Sequence, residues 1–204
     1  PNTNPLTVTL DALNAKLDLL NEKCIVNHSC YFGATNNNYT EFDKLDKHRV
    51  CGIKLFMGSS TGNMLVDKMN SLLNIFNGTD MLIAAHCEDQ ETIKNNIEKY
   101  KQKYKGADDI PVSAHPSIRS VPACYASSEL AVRLAKIAGA RLHILHVSTA
   151  KELQLFSDEP LANKNITAEA CVAHLLFTLT HYNSLGARIK CNPAVKRKTD
   201  REAL

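Results

Sequence analysis

No stretch of the sequence reaches the ~18 consecutive apolar residues that a membrane-spanning helix needs, so none is expected. The opening Pro-Asn-Thr-Asn-Pro has neither the basic start nor the apolar core of a secretory signal, and it begins abruptly, as though cut from something longer. No Cys-x-x-Cys pair occurs among the seven cysteines, Cys24, Cys30, Cys51, Cys87, Cys124, Cys171 and Cys191. Their odd count and wide spacing argue against a disulfide framework and against a structural zinc knot. Most sit in apolar runs, where a free thiol packs as a small hydrophobe, and a reducing cytoplasm is the expected setting. A strong charge bias is also missing: 24 Lys and Arg against 21 Asp and Glu leave a formal net charge of +3. The basic residues are dispersed, except for Lys196-Arg197-Lys198, and no aromatics interleave with them. No nucleic-acid partner is expected, and that short run reads as a solvated or substrate-side loop. Nor is there a glycine-rich strand-to-helix turn of the dinucleotide or phosphate-binding kind.

What is present is ordinary globular composition, 44% hydrophobic and 22% charged over 204 residues. Short β-branched, apolar runs alternate with longer amphipathic ones. The pattern predicts strands at 24–33, 50–57, 81–87, 140–148 and 166–172, with a shorter one at 188–191. Helices are predicted at 10–22, 65–77, 89–104, 122–138 and 149–156. Leu10, Leu13, Leu17 and Leu20 repeat at helical spacing. Asp89 with Thr92, and Ser148-Thr149, supply helix-start signals, and Gly139 falls where a helix should stop.

Strands alternating with helices point to βα units around a parallel sheet. An open doubly wound sheet and a TIM barrel both satisfy that pattern. The barrel is favoured because the chemically useful residues fall at the C-terminal ends of several strands, where a barrel collects its active site. A complete barrel needs about 250 residues, and only five or six units can be counted. The expectation is α/β, an incomplete TIM (β/α)8 barrel of the metal-dependent hydrolase type, forming one catalytic domain over 1–204.

Three strand ends carry the chemistry: Lys54 in GIKLFMGSS, His86 in AAHCED and His146 in HILHVSTA. Singly, each has an ordinary reading, an edge lysine with its stem packed or a hydrogen-bonded histidine. In a barrel the three converge on one mouth. Neutral imidazoles are good zinc ligands. A lysine ammonium is not, unless its neutral amine adds carbon dioxide to give a carbamate with two oxygens that can bridge metals. The apolar neighbours Ile53, Leu55 and Phe56 disfavour the ammonium and so favour that reaction.

With those residues in place, the sequence resembles the dihydroorotases of the amidohydrolase superfamily. PNTNP resembles the segment after the second barrel strand, and KLFMGSSTGNML the fourth-strand segment with the carbamylated lysine. HCED and HILHVSTAKEL resemble the fifth- and sixth-strand histidine segments, and HPSIRSVPACYASSELAVRLA the stretch between them. ITAEACVAHLLF and KCNPAVKRKTDREAL are similar to the seventh-strand region and the substrate loop after it. The resemblance implies two zinc ions, with Lys54 as carbamylated bridging ligand and His86 and His146 on the second zinc. It implies substrate contacts from Asn2 near a carboxylate and Asn192 near the ring amide, whose alternating donors and acceptors suit carboxamide side chains. Asn192-Pro193 reads otherwise as a loop-entry turn.

The remaining polar residues carry less. His143 is read as structural, and no metal role attaches to His174; His28, His48, His115 and His181 stay unassigned. Glu88 and Asp89 are candidates to orient a ligand imidazole, Asp89 equally to cap a helix. The resemblance lets Arg119 pair with a carboxylate at the wall of the site, and capping or ion pairing elsewhere explains it equally well. It also implies a His-x-His pair and an arginine after the first strand and an aspartate after the eighth. None lies in these 204 residues, so a segment of a longer enzyme is expected, inactive by itself. The implied reaction is the reversible interconversion of dihydroorotate and N-carbamoyl-aspartate in pyrimidine biosynthesis. A dihydropyrimidinase- or allantoinase-like cyclic amidase and a catalytically inactive scaffold are the alternatives. A small-molecule substrate is the expected partner, and a homodimer agrees with the resemblance.

Overall fold

The computed structural model describes residues 1–58, 64–106, 108 and 110–204. The 59–63 part of the KLFMGSSTGNML run lies outside the described residues. In chain order the elements are α1 (Leu10–Lys23), β1 (Cys30–Gly33), β2 (Val50–Phe56), α2 (Met69–Asn77), β3 (Ile83–His86), α3 (Gln90–Tyr104), α4 (His115–Ile118), α5 (Val121–Ala138), β4 (Leu142–Ile144), β5 (Ile166–Ala168), α6 (Val172–Leu176), α7 (Tyr182–Leu185) and α8 (Lys198–Ala203). The chain forms two compact units, Pro1–His86 with Ala131–His143, and Cys87–Leu130 with Ile144–Leu204. Among the described residues no helix is long and apolar enough to cross a membrane.

In the first unit the strands follow sequence order, β1-β2-β3-β4. β1 pairs with β2, and β2 with β3, in parallel. Tyr31 lies opposite Gly52, Phe32 opposite Ile53 and Gly33 opposite Lys54, but Cys30 lies opposite Val50, so Cys51 is one residue in excess. Gly52 follows at φ 157°, and a Cβ there would stand 2.4 Å from the Leu82 carbonyl oxygen. Only glycine allows so close an approach of β3. Below the sheet, Phe32, Ile53, Leu55, Ile75 and Ile83 are fully buried, and Phe32 meets Phe42 edge to face at 6.1 Å. α1 starts where Thr9 accepts a hydrogen bond from the Ala12 N–H at 3.2 Å and buries Leu13 and Leu17, the face its leucine spacing predicts. Gly139, at φ 64°, takes the left-handed position after α5, as expected of a helix stop.

The second unit holds α3, capped by Asp89, whose carboxylate accepts from the Thr92 N–H at 2.8 Å. β5 lies beside the end of β4: the Glu169 N–H donates to the Ile144 carbonyl at 3.1 Å, and the Val147 N–H to the Glu169 carbonyl at 2.7 Å. A small core of Tyr182, Ile189 and Val195, with Phe177, Leu185 and Cys191 against it, carries the C-terminal stretch.

Several expected elements are shorter than their apolar runs. The run 24–33 yields a strand only from Cys30, because α1 extends to Lys23 and residues 24–29 make the connection, leaving Ile25 and Val26 exposed. The helix expected at 149–156 is a single 3-10 turn, Glu152–Leu155. Residues 188–191 form no strand: Gly186–Ile189 is a 3-10 turn, and the Cys191 carbonyl is taken by a side chain instead of a ladder.

Candidate active site

In the first unit, β2 and β3 carry two of the candidate residues. Side chains alternate along a strand, and directly paired residues share a face. Ile53 and Leu55 point into the core, so Lys54 and Phe56 take the opposite face; Phe56 is in register with His86, which joins them. The Lys54 Nζ sits 3.6 Å from the centre of the Phe56 ring and donates to the Leu55 carbonyl at 3.2 Å. The Phe56 and His86 rings are 5.7 Å apart. Lysine, phenylalanine and histidine thus form a row along one face, with His86 only 5% exposed.

The positions flanking Lys54 in register are Gly33 and Ala84, the smallest side chains available. Gly33 also admits the opening segment: a Cβ there would stand 2.5 Å from Met64 Cε and 3.0 Å from Pro1 Cβ. That segment is fastened to β1 by the Gly33 N–H donating to the Thr7 carbonyl at 2.8 Å. The Asn38 carboxamide ties the Val8 and Gly33 carbonyls together, at 2.9 and 2.8 Å. Asn2, exposed, is therefore held one residue from the chain that lies against the strand partner of Lys54. Nothing in the local pattern marks Gly33, Asn38 or Phe56, and sequence reasoning missed all three.

In the second unit, His146 follows β4 with φ 43°, a left-handed conformation uncommon for a residue bearing a side chain. The two β4–β5 hydrogen bonds at Ile144 and Val147 bracket it and hold that conformation. Such over-determined backbone is concentrated at functional positions. Glu88, fully buried, forms an ion pair with the Arg119 guanidinium. An ion pair of this kind agrees with either reading of Arg119, and Asp89 takes the capping role.

Shortly after His146 in the chain, Thr149 and Glu152 enter a buried polar cluster. Glu152 accepts from the hydroxyls of Ser128 (2.6 Å) and Thr149 (2.8 Å), while Thr149 Oγ1 caps the Glu152 N–H at 3.2 Å. Burial pushes the Glu152 carboxyl above its usual range, opposed by those hydroxyls and by the Lys196 charge. The expectation of a solvated Lys196-Arg197-Lys198 run needs correction. Arg197 and Lys198 are exposed, but Lys196 is 5% exposed, its Nζ donating to Ser148 Oγ (3.3 Å) and to the Ala194 carbonyl (3.0 Å). Neighbouring charges in one run thus have opposite fates, Lys196 being buried with acceptors within reach and Arg197 and Lys198 facing solvent.

Asn192 is exposed, while Pro193, Ala194, Val195 and Lys196 are buried. The His115 Nε2 donates to the Cys191 carbonyl at 2.8 Å, and the His174 Nε2 to the Pro193 carbonyl at 2.9 Å. Burial lowers the pKa of both imidazoles, opposed in each case by the bond to the carbonyl. Sequence reasoning left His115 unassigned and gave His174 no role.

Among the described residues no group of three or more His, Cys, Asp or Glu is arranged to hold a metal ion. Lys54 lies outside that donor set and, as an ammonium, cannot ligate. As a carbamate beside the His86 imidazole it would add oxygen donors to nitrogen, a set that suits zinc.

No family model matches the chain. Its likeness to solved structures is nonetheless close. An L-hydantoinase (dihydropyrimidinase) from Arthrobacter aurescens superposes with a TM-score of 0.89 at 24% identity, covering 100% of this chain and 45% of that one. A D-hydantoinase gives 0.79 at 20% identity, covering 96% and 43%. Together with the parallel strands and interspersed helices, this makes the fold a partial TIM barrel, as the alternation of runs predicts.

The curated relatives narrow the resemblance. A dihydroorotase from Halalkalibacterium halodurans is 28% identical over 100% of this chain and 46% of its own length. One from Methanosphaera stadtmanae is 28% identical over 96% of this chain and 44% of its own. The chain is similar to these dihydroorotases over nearly all of its length and spans a little under half of theirs.

Proposed function

We propose that this chain supplies part of the active site of a zinc-dependent cyclic amidase, and that the reaction is the reversible hydrolysis of dihydroorotate to N-carbamoyl-aspartate, in pyrimidine biosynthesis. The observation that carries the reading is the row of Lys54, Phe56 and His86 on one face of adjacent parallel strands, within a segment similar to dihydroorotases from end to end. Lys54, His86 and His146 are the proposed metal ligands. Two bound zinc ions would supply a hydroxide near neutral pH and polarise the amide carbonyl.

The chain's own residues have definable tasks. The Lys54 amine, once neutral, forms an N–C bond to carbon dioxide and releases a proton to solvent, leaving a carbamate. That step forfeits the attraction between ammonium and the Phe56 ring, about 0.5–2 kcal/mol, which the ligand bonds must exceed. The left-handed backbone at His146 fixes the direction of its imidazole. Asn2 and Asn192 offer donors and acceptors to a substrate carboxylate and ring amide.

The high structural likeness to hydantoinases favours a second reading, a cyclic amidase acting on a ring without the carboxylate. The protein as its gene encodes it should be assayed with dihydroorotate, dihydrouracil, hydantoin and allantoin, beside a zinc analysis. Preferential turnover of dihydroorotate supports the first reading, and preference for another ring supports the second. Less than one zinc per chain, with no activity restored by added metal, sinks both and leaves an inactive scaffold.

A further inference from the structure

The stretch Cys191–Lys196 belongs to no helix or strand, yet four of its six residues are buried. Buried carbonyls need donors, and here they come from unusual places. Cys191 is served by His115 and Pro193 by His174. The Ala194 carbonyl accepts from the Lys196 ammonium (3.0 Å), and the Lys196 carbonyl from the Leu179 N–H (2.6 Å). The Cys191 thiol adds a 3.2 Å contact to the Pro193 oxygen. The two imidazoles grip the carbonyls immediately before and after Asn192, which is the exposed residue between them. Tyr182, Ile189 and Val195 form the apolar floor on which this loop rests.

A carbonyl oxygen only accepts, so each imidazole must carry its hydrogen on Nε2. Burial disfavours the charged form of both rings, and both residues are 92% or more inaccessible. A loop needs none of this merely to turn a corner. The arrangement costs two buried polar rings and yields one residue with fixed backbone on either side.

We infer that His115 and His174 are positioning residues for Asn192, holding its carboxamide at the angle needed to bind the ring amide of a cyclic amide substrate. This rests on the role proposed for Asn192 above and adds to it the two groups through which that role is exerted. Neither histidine touches substrate; each acts through a main-chain carbonyl.

The test is a double-mutant comparison in the protein as its gene encodes it, assayed with dihydroorotate. His174→Phe and His115→Phe keep ring volume and remove the donor; His174→Gln and His115→Gln keep a donor at nearly the Nε2 position. Each Phe variant is expected to raise KM roughly tenfold, the value of one buried hydrogen bond, with kcat changed far less. Each Gln variant should recover most of the loss. In an Asn192→Ala background the Phe substitutions should add nothing further to KM. Phe substitutions that raise KM equally with and without Asn192 overturn the inference. If Asn192→Ala alone leaves KM unchanged, the role of Asn192 itself fails, a distinguishable result. Nitrogen-15 NMR of the unsubstituted protein decides the matter if the Phe variants do not fold. At neutral pH both rings should show a protonated Nε2 and a bare Nδ1, and the opposite tautomer in either ring overturns the proposal.

Discussion

The two units present their candidate residues by opposite means. In the first, Lys54 and His86 stand on paired strands, so backbone register alone puts them on one face. In the second, His146 and Asn192 stand outside strands: main-chain bonds at Ile144 and Val147 bracket His146, and the His115 and His174 side chains take the carbonyls on either side of Asn192. Strand-borne groups tolerate changes to their neighbours because the ladder survives them. Loop-borne groups depend on each polar contact, since an unpaired buried group costs about 1–3 kcal/mol.

The largest effect should come from the chemistry of the first unit. Lys54→Ala is expected to abolish turnover while leaving the thermal midpoint little changed, and short carboxylic acids added to the assay should restore part of the rate. Normal turnover in that variant removes Lys54 from the site. Next, the second unit should show the fragility of buried charge. Arg119→Leu removes the ion-pair partner of the fully buried Glu88 carboxylate and should cost ~3–5 kcal/mol in denaturant unfolding, whereas Arg119→Leu with Glu88→Leu should recover much of it.

A third prediction concerns pH. His115 and His174 take up protons less readily folded than unfolded, where imidazoles titrate near 6.5. The unfolded state then binds more protons, so stability falls as pH drops through 6.5 and levels off only below the depressed folded values. Guanidinium midpoints measured from pH 7.5 to 5 should decline, and the His115→Gln, His174→Gln double variant should decline less; equal slopes would refute the assignment. The smallest effects belong to helix starts, where the two units should behave alike. Thr9→Ala and Asp89→Ala should each cost ~1 kcal/mol, because each removes one acceptor from one N–H.

The same contrast explains what the sequence made legible. Lys54 and His86 could be read because a polar residue in a short apolar run stands out against a period of two. His146 stood out too, although its left-handed backbone did not. The tasks of His115 and His174 were hidden, since they reach main-chain carbonyls 76 and 19 residues away in sequence. Lys196 looked like its neighbours Arg197 and Lys198 and differs from them only through tertiary contacts. Strand lengths were overestimated because apolarity by itself guarantees neither pairing nor burial, as the exposed Ile25 and Val26 show.

The supernumerary Cys51 is absorbed as a bulge, and beyond it the pairing of β2 runs with no residue to spare. Deleting Cys51 would only straighten the ladder, whereas deleting Ile53 would bring Leu55, not Lys54, opposite Gly33 and Ala84. That face would then be greasy, and an ammonium would be driven into the core. The candidate lysine is thus placed by a count as much as by a codon, and the loss of one in-frame triplet just upstream would displace it without altering its own chemistry.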